Sequence, residues 1–88
     1  AKVSRAIAWL RRNYARPFSG ERLAAEAGMS LSSFHSHFKA ATTLSPLQYR
    51  TRVRLQEARR MMVVEGMDAA TAGFRVGYES PSQFSRDY

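Results

Sequence analysis

Cysteine is absent from the 88-residue sequence. That absence excludes disulfide scaffolds, thiolate zinc sites and cysteine nucleophiles in one step, and it fits a reducing, cytoplasmic setting. Long apolar runs are missing too: even an uncharged stretch such as residues 40–49 contains Thr, Ser, Pro and Gln, far from the ~20 apolar residues of a membrane span. No signal peptide is visible. Acid is scarce, with 7 Asp plus Glu against 14 Lys plus Arg and a net charge of +7. The few carboxylates show no paired spacing, Gly-rich phosphate loops do not occur, and neither His35 nor His37 has an evident Ser or Asp partner. The chain therefore reads as no enzyme, with no cofactor or metal expected. Its length makes one compact domain, or two small helical subdomains that lean on each other. It opens without Met and stops in what reads as mid-helix, as a fragment of a longer protein would.

What charge there is clusters. Residues 1–20 carry Lys2, Arg5, Arg11, Arg12 and Arg16 with no acid, and residues 31–60 carry Lys39, Arg50, Arg52, Arg54, Arg59 and Arg60 against Glu57 alone. Residues 61–88 lean acidic. Two separate basic blocks point to a polyanionic partner, nucleic acid first.

Helix-start signals recur in one grammar. Ser19, Ser30, Ser45, Asp68 and Ser80 each stand where an N-cap oxygen accepts a bond from an orphan backbone N–H. Pro46 and Pro81 follow at once in the first helical position, and Gln48 and Gln83 complete two predicted capping boxes. Phe18 with Leu23, Met29 with Phe34 and Leu44 with Tyr49 bracket caps as hydrophobic staples. Between caps the apolar period is helical: Val3, Ile7, Leu10 and Tyr14 form one stripe, and Leu47, Leu55, Ala58 and Met62 another. Tyr49, Val53 and Val64 lie on the other side of that second helix, as in a connector packed on both faces. The expected fold is all-α, with six helices over 3–14, 20–27, 31–41, 46–64, 69–76 and 81–88.

Two segments repeat. Leu23 to Ser30, followed by Phe34 and Phe38, parallels Ala72 to Tyr78, followed by Ser80, Phe84 and Tyr88. In each, a small residue four or five before a Gly permits close helix approach, the Gly ends the helix, and an aromatic pair at i, i+4 anchors the next one. The second copy carries one extra turn residue, Glu79. This is the grammar of a helix-turn-helix, whose second helix is offered to the DNA major groove.

At these residues the chain resembles a known family. Two helix-turn-helix units joined by a long helix are similar to the DNA-binding domain of the AraC/XylS family of bacterial transcription regulators. The resemblance is carried by the run from Arg75-Val76-Gly77-Tyr78 through Ser80-Pro81 to Gln83-Phe84-Ser85-Arg86, and by Phe38-Lys39, Ser45-Pro46, Tyr49 and Arg54-Leu55. The expected division is a first subdomain over 1–45, a connector over 46–64 and a second subdomain over 65–88. Family members continue past the last helix through a Gly into a seventh helix that this sequence does not contain, so Phe84 and Tyr88 are expected to lose part of a packing wall. The resemblance also implies double-stranded DNA as partner, RNA polymerase as another, an N-terminal effector-sensing or dimerisation domain ahead of Ala1, and no membrane. Activator and repressor both remain open.

Matched onto the family pattern, Ser32, His35 and Ser36 occupy base-reading positions opposite Phe34 and Phe38, and Lys39 meets phosphate. The bland alternative for His35 and His37 is ordinary exposed histidine; as a metal pair they fail, because residues two apart on a helix point about 200° apart. After Ser80, the anchors Phe84 and Tyr88 leave Ser82, Gln83, Ser85 and Arg86 for base contact. Arg reads guanine and Gln reads adenine in bidentate fashion. Gln83 has a rival task in its capping box, and Arg86 in an ion pair with Asp87 or Glu79. Ser30, Ser80, Arg50 and Arg54 complete the expected backbone contacts, Arg54 being partly structural. Trp9 reads as a rim residue, and Met61, Met62 and Met67 as core filling. The rival from another class is a cationic helical module binding an anionic membrane surface or a protein partner through the Arg-rich connector. The duplicated turn separates the two, since a membrane helix does not require it.

Overall fold

The computed structural model describes residues 2–88. Its helices are α1 (Ser4–Arg12), α2 (Gly20–Glu26), α3 (Leu31–Thr42), α4 (Pro46–Val64), α5 (Ala69–Arg75) and α6 (Pro81–Asp87), with no strand among the described residues. All five polar caps form: Ser19, Ser30, Ser45, Asp68 and Ser80 each accept a bond from the backbone N–H three residues on. Each thereby satisfies a donor that has no partner inside its helix. Thr71 holds the Asp68 carboxylate with both its hydroxyl and its backbone N–H, which pulls that carboxyl below its usual range.

The two predicted capping boxes part company. At the start of α4 the Ser45 N–H donates to Gln48 Oε1 at 3.0 Å while the Gln48 N–H donates to Ser45 Oγ at 3.2 Å. At α6 only the second half exists, Gln83 N–H to Ser80 Oγ at 3.3 Å. Ser80 has φ −146°, against −71° at Ser45, and that rotation turns its N–H away from the third residue of its helix. The Gln83 amide is left free.

Apolar side chains gather in two cores. Val3, Ala6, Leu10, Leu23, Ala24, Phe34 and Phe38 form the first, where Phe18, Met29 and Tyr49 pack as staples. Ala58, Met61, Ala72, Val76, Tyr78 and Phe84 form the second. Helix α4 touches α1, α3 and α5, and the molecule extends over 41 × 22 × 18 Å. Its radius of gyration of 14.0 Å exceeds the ~12 Å of a spherical domain of this length, as two cores on one rod require.

Two expectations need correction. Tyr14 does not continue the α1 stripe. Both the backbone N–H and the side-chain amide of Asn13 close onto the Trp9 carbonyl, ending the helix, and Tyr14 crosses to pack on the second core. On α4 the buried line runs through Arg54, Ala58 and Met61, while Leu47 is 55% exposed.

The two turns share one hydrogen-bond pattern. Met29 N–H reaches Ala24 O and Gly28 N–H reaches Ala25 O; Tyr78 N–H reaches Gly73 O and Gly77 N–H reaches Phe74 O. Both are Schellman closures with a glycine at positive φ, +70° at Gly28 and +111° at Gly77. The counterpart of Ala24 is therefore Gly73, whose missing side chain matters: a Cβ there would lie 3.0 Å from the Phe84 ring. Around Gly28 nothing lies within 4 Å of such a Cβ, whereas at Gly77 it would stand 2.7 Å from Arg54 Nη2 and 2.8 Å from the Ala15 carbonyl. Gly28→Ala should thus cost only the conformational penalty of about 1–2 kcal/mol. Gly77→Ala should add about 1–3 kcal/mol of overpacking. Urea denaturation of the two variants checks this, and equal losses would contradict it.

Candidate nucleic-acid interface

Helix α3 turns Phe34 and Phe38 fully inward and leaves Ser32, His35, Ser36 and Lys39 exposed. His35 leans toward α2, its Nε2 being 3.8 Å from where a Gly20 Cβ would stand. His37 Nδ1 donates to the Ser33 carbonyl at 2.8 Å, so that ring is folded back along its own helix. Ser30 Oγ accepts from the Ser33 N–H, which leaves its hydroxyl hydrogen available.

Helix α6 repeats the arrangement with different chemistry. Phe84 is buried against Gly73 and Tyr78, while Ser82, Gln83, Ser85 and Arg86 are exposed. Counted from their caps, Ser82, Ser85 and Arg86 stand where Ser32, His35 and Ser36 stand on α3. The ion pair weighed for Arg86 is not made. Among the described residues the bridges are Arg22–Glu26, Arg60–Glu57 and Arg60–Glu65, and Asp87 instead accepts from the Tyr78 hydroxyl at 2.8 Å.

The connector arginines separate into distinct roles. Arg52, Arg59 and Arg60 are exposed. Arg54 is 7% exposed; its Nε donates to the Tyr14 carbonyl at 2.6 Å and its guanidinium lies 5.4 Å from the centre of the Tyr78 ring. That burial corrects its assignment as a phosphate contact: Arg54 ties the tail of α1 and the turn of the second unit to α4. Burial, and next the neighbouring Arg50 charge, lower its pKa. Arg50, one turn earlier, is half-buried over the Phe18 ring at 5.4 Å.

The helix-turn-helix domain family matches residues 23–88, three quarters of the chain. The chain belongs to the AraC/XylS family. Two solved structures superpose over 99% of it: an AraC-type regulator from Chromobacterium violaceum at TM-score 0.85 and 25% identity, and a probable AraC family regulator from Rhodopseudomonas palustris at 0.84 and 27%. The chain covers 78% and 82% of those two proteins. Among curated relatives, the transcriptional activator RhaS of Klebsiella pneumoniae is 32% identical over 85 residues, and that of Salmonella schwarzengrund 29%. These matches take in 97% of this chain but 31% of each relative, so the chain spans about a third of their length.

An AraC-type domain is a DNA-binding part of a transcription regulator and not an enzyme. Among the described residues no three potential ligands gather for a metal, and no helix is long and apolar enough to cross a membrane. A polar tie lies beneath α6, between Tyr78 and Asp87. Burial first, and then the bond to Asp87, push the Tyr78 hydroxyl up to about 12 from an ordinary 10. An acid whose folded pKa is raised stabilises the fold fully below its unfolded pKa. That contribution is lost as pH climbs from about 10 to about 12, because over this window the unfolded chain releases a proton that the folded chain keeps. Absorbance titration at 295 nm should show, as the difference between wild type and Tyr78→Phe, one phenol with a midpoint near 12. A midpoint near 10 would remove the tie.

Proposed function

We propose that this domain binds double-stranded DNA sequence-specifically as a single copy, with α3 and α6 entering successive major grooves. The observation that carries the reading is the duplicated turn: two helices of matching bond pattern, α3 held by buried Phe34 and Phe38 and α6 by buried Phe84, each presenting a polar face. The 19 residues of α4 run about 28 Å at 1.5 Å per residue, comparable with the ~34 Å between successive grooves. Base contacts are assigned to Ser32, His35 and Ser36 in one groove and to Ser82, Gln83, Ser85 and Arg86 in the next. Lys39, Arg50 and the cap hydroxyls of Ser30 and Ser80 take phosphates. A cap serine suits that task, since its oxygen accepts from the helix while its hydrogen stays free to donate.

The likeness to RhaS, a transcriptional activator, supports activation as the output. RNA polymerase as a protein partner, an N-terminal effector or dimerisation domain and a cytoplasmic location belong to the same proposal. The membrane alternative gains nothing from α4. Its exposed apolar residues, Leu47 at one end and Val63 and Val64 at the other, form no continuous stripe.

Selection of bound duplexes from a random pool should yield two half-sites about one turn apart, occupied by one protein copy. On the selected duplex, Arg86→Ala should cost about 1–3 kcal/mol, and close to nothing once its guanine has been replaced. Arg59→Ala should change all sequences alike or not at all. A loss from Arg86→Ala that is identical on every single-base variant would demote Arg86 to a phosphate or structural contact, leaving specificity to Ser82, Gln83 and Ser85.

A further inference from the structure

Between α6 and the loop joining α1 to α2 lies an open crevice of about 580 Å³, walled by Pro17, Arg50, Arg54, Tyr78, Gln83 and Arg86. Glu79 and Asp87 stand at it as well. Asp87 is held by the Tyr78 hydroxyl, and neither acid bridges to an arginine.

Arg50 is the anomaly. Its Nε is shielded from solvent and has no hydrogen-bond partner, and its guanidinium lies over the Phe18 ring. Buried donors in folded proteins are paired as a rule, and a guanidinium in poor solvent calls for an anion more strongly than a neutral donor does. Desolvation lowers the Arg50 pKa, the same cost seen from the other side. Arg54, one turn on and 7% exposed, adds its charge from behind, with its Nε donating to the Tyr14 carbonyl. The Gln83 amide, released from its capping box, supplies a neutral donor on the opposite wall.

We propose that this crevice is an oxyanion site for one phosphate of the duplex backbone, bound by Arg50 and by Gln83, which is thereby taken from base reading, with the Arg54 charge behind them. The assignment rests on the two-groove reading above. If α3 and α6 occupy successive grooves, the backbone between the half-sites must pass between the two units, and the crevice opens there. A phosphate seated on Gln83 fixes the depth of α6 in its groove and so positions Arg86, three residues on, over its base.

The test combines single methylphosphonate replacements along the selected duplex with Arg50→Met, which keeps the apolar stem over Phe18 while removing the charge. Expected are a loss of about tenfold, a log K against log salt slope shallower by about 0.9, and recovery of that slope in Arg50→Lys. One neutralised phosphate between the half-sites should weaken wild type by a similar factor and leave Arg50→Met unchanged. The scan on wild type needs no variant to fold. Equal sensitivity of wild type and Arg50→Met at every phosphate, or an unchanged salt slope, overturns the site while leaving sequence-specific binding intact. Wild type that selects no duplex overturns the two-groove reading and this site with it. Saturable binding of inorganic phosphate without DNA, lost in Arg50→Met while the salt slope stays the same, would make the crevice a pocket for free anions and overturn the backbone assignment.

Discussion

The relative placement of the two units depends on Arg54. Neither core is large, and α4 and the tail of α1 join them. Arg54 gathers three pieces at one point: the Tyr14 carbonyl from the first unit, the Tyr78 ring from the second, and the connector that carries it. A charged hydrogen bond in such a place contributes about 1.5–3 kcal/mol and a cation over an aromatic face about 1 kcal/mol. Those are large fractions of the stability of a small domain. An apolar residue could fill the same space, but only a donor satisfies the carbonyl that Asn13 exposes by ending α1.

Gly77 is the other side of the same constraint. The chain passes so close to the Arg54 guanidinium and the Ala15 carbonyl that no side chain fits, and φ +111° would strain one in any case. From there the tie continues outward, since Tyr78 stacks on Arg54 through its ring and bonds Asp87 of α6 through its hydroxyl. A short path of contacts thus runs from the end of α1 to the last turn of α6. Tilting α6 against the first unit means breaking at least one polar contact that has no substitute nearby.

How much of this was legible in the sequence follows from how local each signal is. The five caps, the helix order and the exposed faces of α3 and α6 were readable, because a cap needs only three residues and Phe34, Phe38 and Phe84 name the buried sides; Tyr88, read as the second anchor of α6, is 58% exposed. Arg54 was readable as partly structural but not as the joint itself, because an arginine interrupts an apolar stripe and its acceptor is a backbone carbonyl forty positions away. Tyr14 was misplaced for a related reason: the period continued through it, and only the side chain of Asn13 decides that the helix does not. The released Gln83 amide depends on one φ angle at Ser80, and the Arg50 crevice on where the α1–α2 loop runs. Neither leaves a mark in residue order.

The second helices of the two units, α3 and α6, are unequal in what holds them. Helix α3 has 12 residues and an edge-on contact between Phe38 and Tyr49 of the connector, so it is long enough to be rigid on its own packing. Helix α6 has 7, too few to persist without tertiary support. Its support is concentrated in Phe84, pressed into the space that Gly73 leaves open, and in the Tyr78–Asp87 bond. The longer helix presents serines and histidine, and the shorter one presents Gln83 and Arg86, whose bidentate chemistry demands the stricter placement. The Arg54–Tyr78–Asp87 path accordingly braces the shorter helix, which has the least packing of its own.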